Sequence, residues 1–133
     1  MSEYLLSTSG LTKQFGHHKA VNNVDLHVKK GAIYGFIGRN GAGKTTFLKM
    51  ISGLSKPTDG EIQMFGYRNE ELKNVRSRIS CLIEAPGIYG NMSAYHNLAI
   101  KCRLFGINDS KYIENIFKIV GLSEVGKKKT KHF

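Results

Sequence analysis

Residues 38–46 contain every residue type needed to wrap a chain around the phosphates of a nucleotide. The glycines at 38, 41 and 43 can take backbone angles closed to other residues, so consecutive N–H groups can turn inward and form an anion site. Lys44 adds a full positive charge, and the Thr45 hydroxyl suits a phosphate-bound Mg²⁺. The spacing is that of a P-loop, G-x-x-x-x-G-K-S/T, and its candidate phosphate-binding residues are Asn40, Gly41, Ala42, Gly43, Lys44, Thr45 and Thr46.

The residues around this loop have the patterns that a P-loop requires. The apolar run at 32–37 predicts a strand buried on both faces, and Phe47, Ile51 and Leu54 follow at helical spacing. A merely flexible glycine-rich turn is the less favoured alternative. A dinucleotide fingerprint is excluded because Thr46 occupies the position of its third glycine.

The remaining elements predict a core followed by a helical region. Antiparallel strands are expected at 4–15 and 20–28, further strands at 61–65 and 79–83, and a brief helix at 70–76. After a loop that starts near residue 85, apolar residues at helical spacing predict two amphipathic helices. Asp109 or Ser110 can begin the second helix, and Gly121 can end it.

The composition is that of a globular protein. The chain has 133 residues, of which 41% are hydrophobic, and its longest apolar runs are too short to span a membrane. Its start lacks the basic-then-apolar order of a signal peptide, so the cytosol is the expected location. Cys81 and Cys102 lie in apolar segments and are interpreted as reduced core thiols rather than a disulfide or metal site.

The net charge of +10 raises nucleic acid as a possible partner. The twenty Lys and Arg are spread along the chain, and neither an RNP-like nor a helix-turn-helix pattern is present, so nucleic acid is disfavoured. One dense basic cluster occupies residues 127–132. A solvated surface turn is its favoured interpretation, ahead of contact with an anionic membrane surface or a charged partner.

Over its whole length the chain resembles the ATP-binding domain of ABC transporters. Residues 38–46 match the Walker A loop of that family, and residues 51–54 and 57–62 match the stretch that follows it. By this resemblance, Phe15 occupies the aromatic position that stacks on adenine, and Val21 an apolar position that packs on the same base. The resemblance thus implies ATP with Mg²⁺ as the ligand.

Glu84 falls where that family usually has the Q-loop glutamine. A glutamate oxygen can contact the metal and the attacking water as glutamine does, but it brings a negative charge beside the γ-phosphate. The resemblance implies a supporting catalytic role for Glu84, and metal contacts for Thr45 and Glu84. Residues 82–89 and 95–98 resemble the bacitracin- and lantibiotic-resistance branch, where Glu commonly takes this place.

The resemblance also implies an α/β fold of the P-loop NTPase, ABC-type class, cut short at its C-terminal side. Residues 1–84 would form the ATP-binding core with an N-terminal antiparallel β part, and residues 85–133 the start of an α-helical subdomain. The family's signature, Walker B aspartate, catalytic glutamate and switch histidine have no counterparts in these 133 residues. We therefore expect the front part of a longer ATPase, and no ATP hydrolysis by this chain alone.

The function implied is ATP binding within a transporter ATPase subunit that powers export of, or self-protection against, a peptide antibiotic. Its implied partners are a membrane-embedded permease and a second nucleotide-binding domain, at the cytoplasmic face of the membrane. The alternative is a soluble ABC-type ATPase that acts on nucleic acid or ribosomes, which the basic charge would suit. A P-loop kinase or GTPase is disfavoured, since no Asn-Lys-x-Asp motif follows.

Overall fold

The computed structural model of the chain describes residues 3–84 and 87–133. The chain divides into two compact units, one within residues 1–85 and the other within residues 86–133. No helix in the described part of the chain is both long and apolar enough to cross a membrane. Each unit has a hydrophobic core of its own.

The first unit is built on a four-stranded antiparallel sheet with the order β2-β1-β3-β4. Its strands are β1 at Tyr4–Phe15, β2 at His18–Lys29, β3 at Asp59–Met64 and β4 at Tyr67–Arg68. A tight turn joins β1 to β2, and Gly16 in that turn has a φ of 57°, which glycine adopts without strain. The expected strands at 4–15, 20–28 and 61–65 are confirmed, with boundaries shifted by up to two residues.

One helix, α1 at Lys44–Ile51, completes the core of the first unit. Phe47, Met50 and Ile51 face inward from α1, and they pack with apolar residues of the sheet such as Leu11 and Ile62. Leu54, expected on the same face, lies beyond the end of the helix and is exposed. The helix expected at 70–76 forms instead as two short 3-10 helices, Asn69–Asn74 and Arg76–Arg78.

Two predicted strands of the first unit are absent from its described residues. Neither 32–37 nor 79–83 pairs with a strand there, and the prediction that 32–37 is a buried strand is wrong, since Ile37 is 97% exposed. A strand forms only where a neighbour satisfies its backbone N–H and C=O groups, and no described strand lies beside either run. For the same reason Cys81 is exposed, so its assignment as a core thiol is wrong, whereas Cys102 is buried as expected.

The described residues of the second unit form two α-helices, α2 at Ala94–Leu104 and α3 at Ser110–Ile119, and two short 3-10 helices at Ser123–Val125 and Thr130–His132. Its core residues are Ala94, Cys102, Ile113 and Phe117. The Asp109 side chain accepts a hydrogen bond from the Lys111 N–H at 2.8 Å, so the expected cap at Asp109 is confirmed. Gly121 follows the end of α3 with a φ of 70°, as expected for a helix-terminating glycine.

The basic cluster at 127–132 is held by its backbone and exposes its lysine side chains. The Lys128 carbonyl accepts a hydrogen bond from the Ala94 N–H at 3.1 Å, and the Thr130 N–H donates to the Met92 carbonyl at 3.0 Å. A short bridge between Ser93 and Lys129 continues this pairing. The cluster is thus an ordered surface segment that lies along the start of α2.

Candidate nucleotide-binding site

The P-loop leads directly into α1, which begins at Lys44. Gly43 precedes the helix with a φ of 87°, and its carbonyl accepts a hydrogen bond from the Phe47 N–H at 2.8 Å. No side chain caps this end of α1. Its first backbone N–H groups and the positive end of the helix dipole therefore form a surface suited to phosphate.

Close packing of Gly43 against β2 fixes the position of the loop. A Cβ built on Gly43 would lie 2.0 Å from the Ala20 carbonyl oxygen and 3.3 Å from Cγ2 of Val21. Only glycine fits here without a shift of β2 or of the loop. Ala20 makes this contact through its backbone carbonyl, so its side chain gives no sequence signal for it.

The Lys44 ammonium lies across the P-loop. Its Nζ donates hydrogen bonds to the Gly38 carbonyl at 2.5 Å and to the Arg39 carbonyl at 2.8 Å. The Ala42 N–H donates to the same Arg39 carbonyl at 3.1 Å, so residues 38–44 form a closed loop. A phosphate oxygen would replace neutral carbonyls as partners of this charge, and such charge-assisted bonds are the stronger kind.

Both predicted base-contacting residues, Phe15 and Val21, lie on the hairpin of β1 and β2. Phe15 ends β1 opposite His18 and is 55% exposed, and Lys13 Nζ lies 5.2 Å from the centre of its ring. An exposed ring at a strand end is free to stack on a base. Val21 instead is 6% exposed and belongs to the core beneath Gly43. The structure thus brings Val21 to the loop as packing, and base contact by either residue stays a prediction.

The Glu84 side chain lies beside α1. Its carboxylate is 3.5 Å from the Lys49 ammonium, and its backbone has a φ of 64°, which is uncommon for a residue other than glycine. Lys49 is four residues after Thr45 in α1, so the two share one face of the helix. Lys49 was not among the residues predicted from the sequence, although its spacing from Thr45 on the P-loop helix is a signal of a shared face.

The oxygen donors near α1 fit a magnesium ion carried in with the nucleotide. Mg²⁺ in proteins is commonly held by one or two protein oxygens together with substrate phosphates and water. The exposed Thr45 hydroxyl and the Glu84 carboxylate are donors of this kind. Within the described residues, no group of three or more His, Cys, Asp or Glu is placed to hold a metal by itself. Phosphate would therefore have to supply part of the coordination.

The remaining predicted phosphate-binding residues lie in the P-loop and in the first turn of α1. Asn40 and Ala42 are exposed in the loop, and Thr46 is half-buried in the first turn of α1. The structure therefore places the loop residues and Val21 at the start of α1, and Glu84 beside Lys49 in its last turn. Their contacts with ATP and Mg²⁺ remain predictions.

Known proteins resemble this chain in sequence. It is 43% identical over 127 residues to the bacitracin transport ATP-binding protein BcrA of Bacillus licheniformis, an alignment that covers 93% of this chain and 41% of BcrA. It is 36% identical over 129 residues to the lantibiotic transport ATP-binding protein SrtF of Streptococcus pyogenes, covering 97% of this chain and 55% of SrtF. The chain thus spans about half the length of these relatives.

A comparison with solved structures and a match to a family model agree with this sequence similarity. A solved structure of a nucleotide-free ATP-binding cassette from an ABC transporter superposes with a TM-score of 0.80 at 24% identity, over 98% of this chain and 59% of that one. This likeness confirms the expected ABC-type α/β fold. The family model for ABC transporters matches residues 21–133. The chain therefore belongs to the ABC transporter family.

Proposed function

We propose that this chain binds ATP with Mg²⁺ as the front part of an ABC transporter ATPase subunit. The observation that carries the proposal is the position of Lys44, the first residue of α1. Its ammonium donates hydrogen bonds to the Gly38 and Arg39 carbonyls. A cation, a glycine-rich backbone and an uncapped helix N-terminus converge there, and together they suit a polyphosphate.

The chain's own residues have separate tasks in this binding. Lys44 and the N–H groups at the start of α1 hold the phosphates, while Gly43 lets the loop pack against Ala20. Thr45 and Glu84 supply oxygens for Mg²⁺, which when bound neutralises charge on the phosphates. The exposed ring of Phe15 stacks on the base.

The proposed cargo is a peptide antibiotic of the bacitracin or lantibiotic type, and the task is export or self-protection. Two observations support it. The relatives BcrA and SrtF are named as bacitracin and lantibiotic transport proteins. Glu84 and its neighbours in sequence also resemble the bacitracin- and lantibiotic-resistance branch, in which a glutamate commonly stands at the Q-loop position.

We further propose that the whole protein works at the cytoplasmic face of a membrane with a membrane-embedded permease. In the family resemblance, the region that follows Glu84 contacts such a permease, and two nucleotide-binding domains enclose ATP between them. Both the permease and the second domain therefore belong to the proposal for the whole protein.

Deletion of the gene in its host tests the proposed cargo. Loss of the protein should lower the concentration of bacitracin or of a lantibiotic that inhibits growth, because export would fail. The wild-type gene should restore resistance, as should a Lys73→Ala control, which removes an exposed lysine outside the site. A Lys44→Ala gene should not. Unchanged susceptibility of the deletion strain to both antibiotic classes would contradict the proposed cargo.

A further inference from the structure

The ion pair between Lys49 and Glu84 joins the P-loop helix to the residue at the Q-loop position. The Lys49 Nζ and Glu84 Oε1 atoms are 3.5 Å apart. The Glu84 side chain is 70% exposed and that of Lys49 is 43% exposed, so water competes with the pair and its strength is modest. Its importance therefore lies in where it holds the carboxylate.

Helix geometry places this pair near the predicted metal ligand Thr45. Lys49 is one helical turn after Thr45, and side chains four residues apart stand one above the other on a helix. One turn of α-helix spans about 5.4 Å along its axis. Lys49 thus stands on the helix face that carries Thr45, one turn further from the P-loop, and its ammonium pairs with the Glu84 carboxylate there.

The backbone of Glu84 adds an independent observation. Its φ of 64° falls in the left-handed region, which L-residues other than glycine adopt at a cost in free energy. Such a conformation persists only where the surroundings favour it. Among the described residues, the Glu84 side chain forms an ion pair with Lys49.

We propose that Lys49 is a positioning residue for Glu84. Its ammonium draws the Glu84 carboxylate onto the Thr45 face of α1 and offsets the negative charge that a glutamate, unlike a glutamine, brings close to the phosphates. Lys49 thereby lets a glutamate serve at the Q-loop position. This inference rests on the proposed binding of ATP with Mg²⁺, and it goes beyond that proposal by adding a residue that acts only through Glu84.

A double-mutant cycle on the 133-residue chain tests this role. The affinity for ATP with Mg²⁺ is measured by titration calorimetry for the wild type, Lys49→Met, Glu84→Gln and the double variant. Lys73→Met is the control, since it removes an exposed lysine from the same unit. Lys49→Arg, which keeps the charge, should bind like the wild type.

We expect Lys49→Met to weaken binding about two- to fivefold more in the Glu84 background than in the Glu84→Gln background, the size of one exposed ion pair. Lys73→Met should give no such difference. Equal losses from Lys49→Met in both backgrounds, or no rescue by Lys49→Arg, would overturn the inference. Failure of this inference can be told apart from failure of the proposed function, because in the second case Lys44→Ala would leave the affinity for ATP with Mg²⁺ unchanged.

Discussion

Gly43 and the Ala20 carbonyl are so close that a Cβ on Gly43 would lie 2.0 Å from that oxygen. Glycine in a P-loop is usually explained by its backbone angles, and Gly43 does have a φ of 87°. Here a second constraint applies, because β2 lies directly behind the loop. The antiparallel sheet therefore helps to position the P-loop.

Substitution of Gly43 by alanine should separate these two constraints. Gly41 has a similar φ of 82°, but its Cβ would meet no atom within 4 Å, so Gly41→Ala is the matched control. We expect Gly43→Ala to lower the free energy of unfolding by about 1–3 kcal/mol more than Gly41→Ala, the usual cost of overpacking. Urea unfolding of both variants measures it. Equal losses would mean that the contact with Ala20 imposes no constraint.

The exposed ring of Phe15 predicts a base-specific effect. Stacking of a base on an aromatic ring contributes about 1–3 kcal/mol, so Phe15→Ala should weaken ATP binding about 5- to 100-fold. Binding of inorganic triphosphate, which has no base, should not change. Tyr67→Ala, which removes another half-exposed ring from the same sheet, is the control. If Phe15→Ala weakened binding of both ligands equally, base stacking would be excluded.

Much of the fold could be predicted from sequence because its signals are local. The alternation in β1 and β2, the helical spacing in α2 and α3, and the cap at Asp109 all depend on residues close together in the chain. The runs at 32–37 and 79–83 failed as strand predictions because their apolar residues indicate burial but not what would cover them. Pairing depends on a neighbouring strand, which a local pattern does not reveal.

The candidate site likewise has features with a local sequence signal and features that depend on residues distant in the chain. The loop residues were predictable because a P-loop has a fixed spacing and the chemistry of phosphate dictates its residue types. The contact of Gly43 with Ala20 was not predictable, and neither was the choice of Glu84 as the partner of Lys49, since both contacts join residues far apart in sequence. Val21 is buried in the core beneath the loop, and its contact with a base stays a prediction.

Asn97 should be important for the stability of the second unit. Its side chain is buried, accepts a hydrogen bond from the Tyr89 N–H at 2.7 Å, and donates to the Tyr89 and Ser93 carbonyls, each at 3.0 Å. Asn97→Ala should therefore destabilise this unit by about 1–3 kcal/mol, the cost of leaving a buried polar group unpaired. Hydrogen exchange of α2 amides measures this change. The exposed Asn108→Ala is the control, and similar exchange in both variants would refute the prediction.

The exposed run at 32–37 should promote self-association of the 133-residue chain. Ile33 and Ile37 are almost wholly exposed on backbone that has no regular secondary structure and pairs with no described strand, so its N–H and C=O groups are open to contact with another chain. Ile37→Lys should shift the chain toward monomer in light scattering, because a charge at such an edge opposes pairing. Leu54→Lys, at another exposed apolar residue of the same unit, should not. A wild-type chain that stays monomeric at high concentration would contradict this expectation.

The central claim is that the loop around Lys44 binds nucleotide, and a titration of ATP with Mg²⁺ into the wild type and Lys44→Ala tests it most directly. A charge-assisted hydrogen bond contributes about 1.5–3 kcal/mol, so the variant should bind about 10- to 100-fold more weakly. Lys73→Ala, which removes the same charge outside the loop, should bind like the wild type. Unchanged affinity of the Lys44→Ala chain would contradict the account.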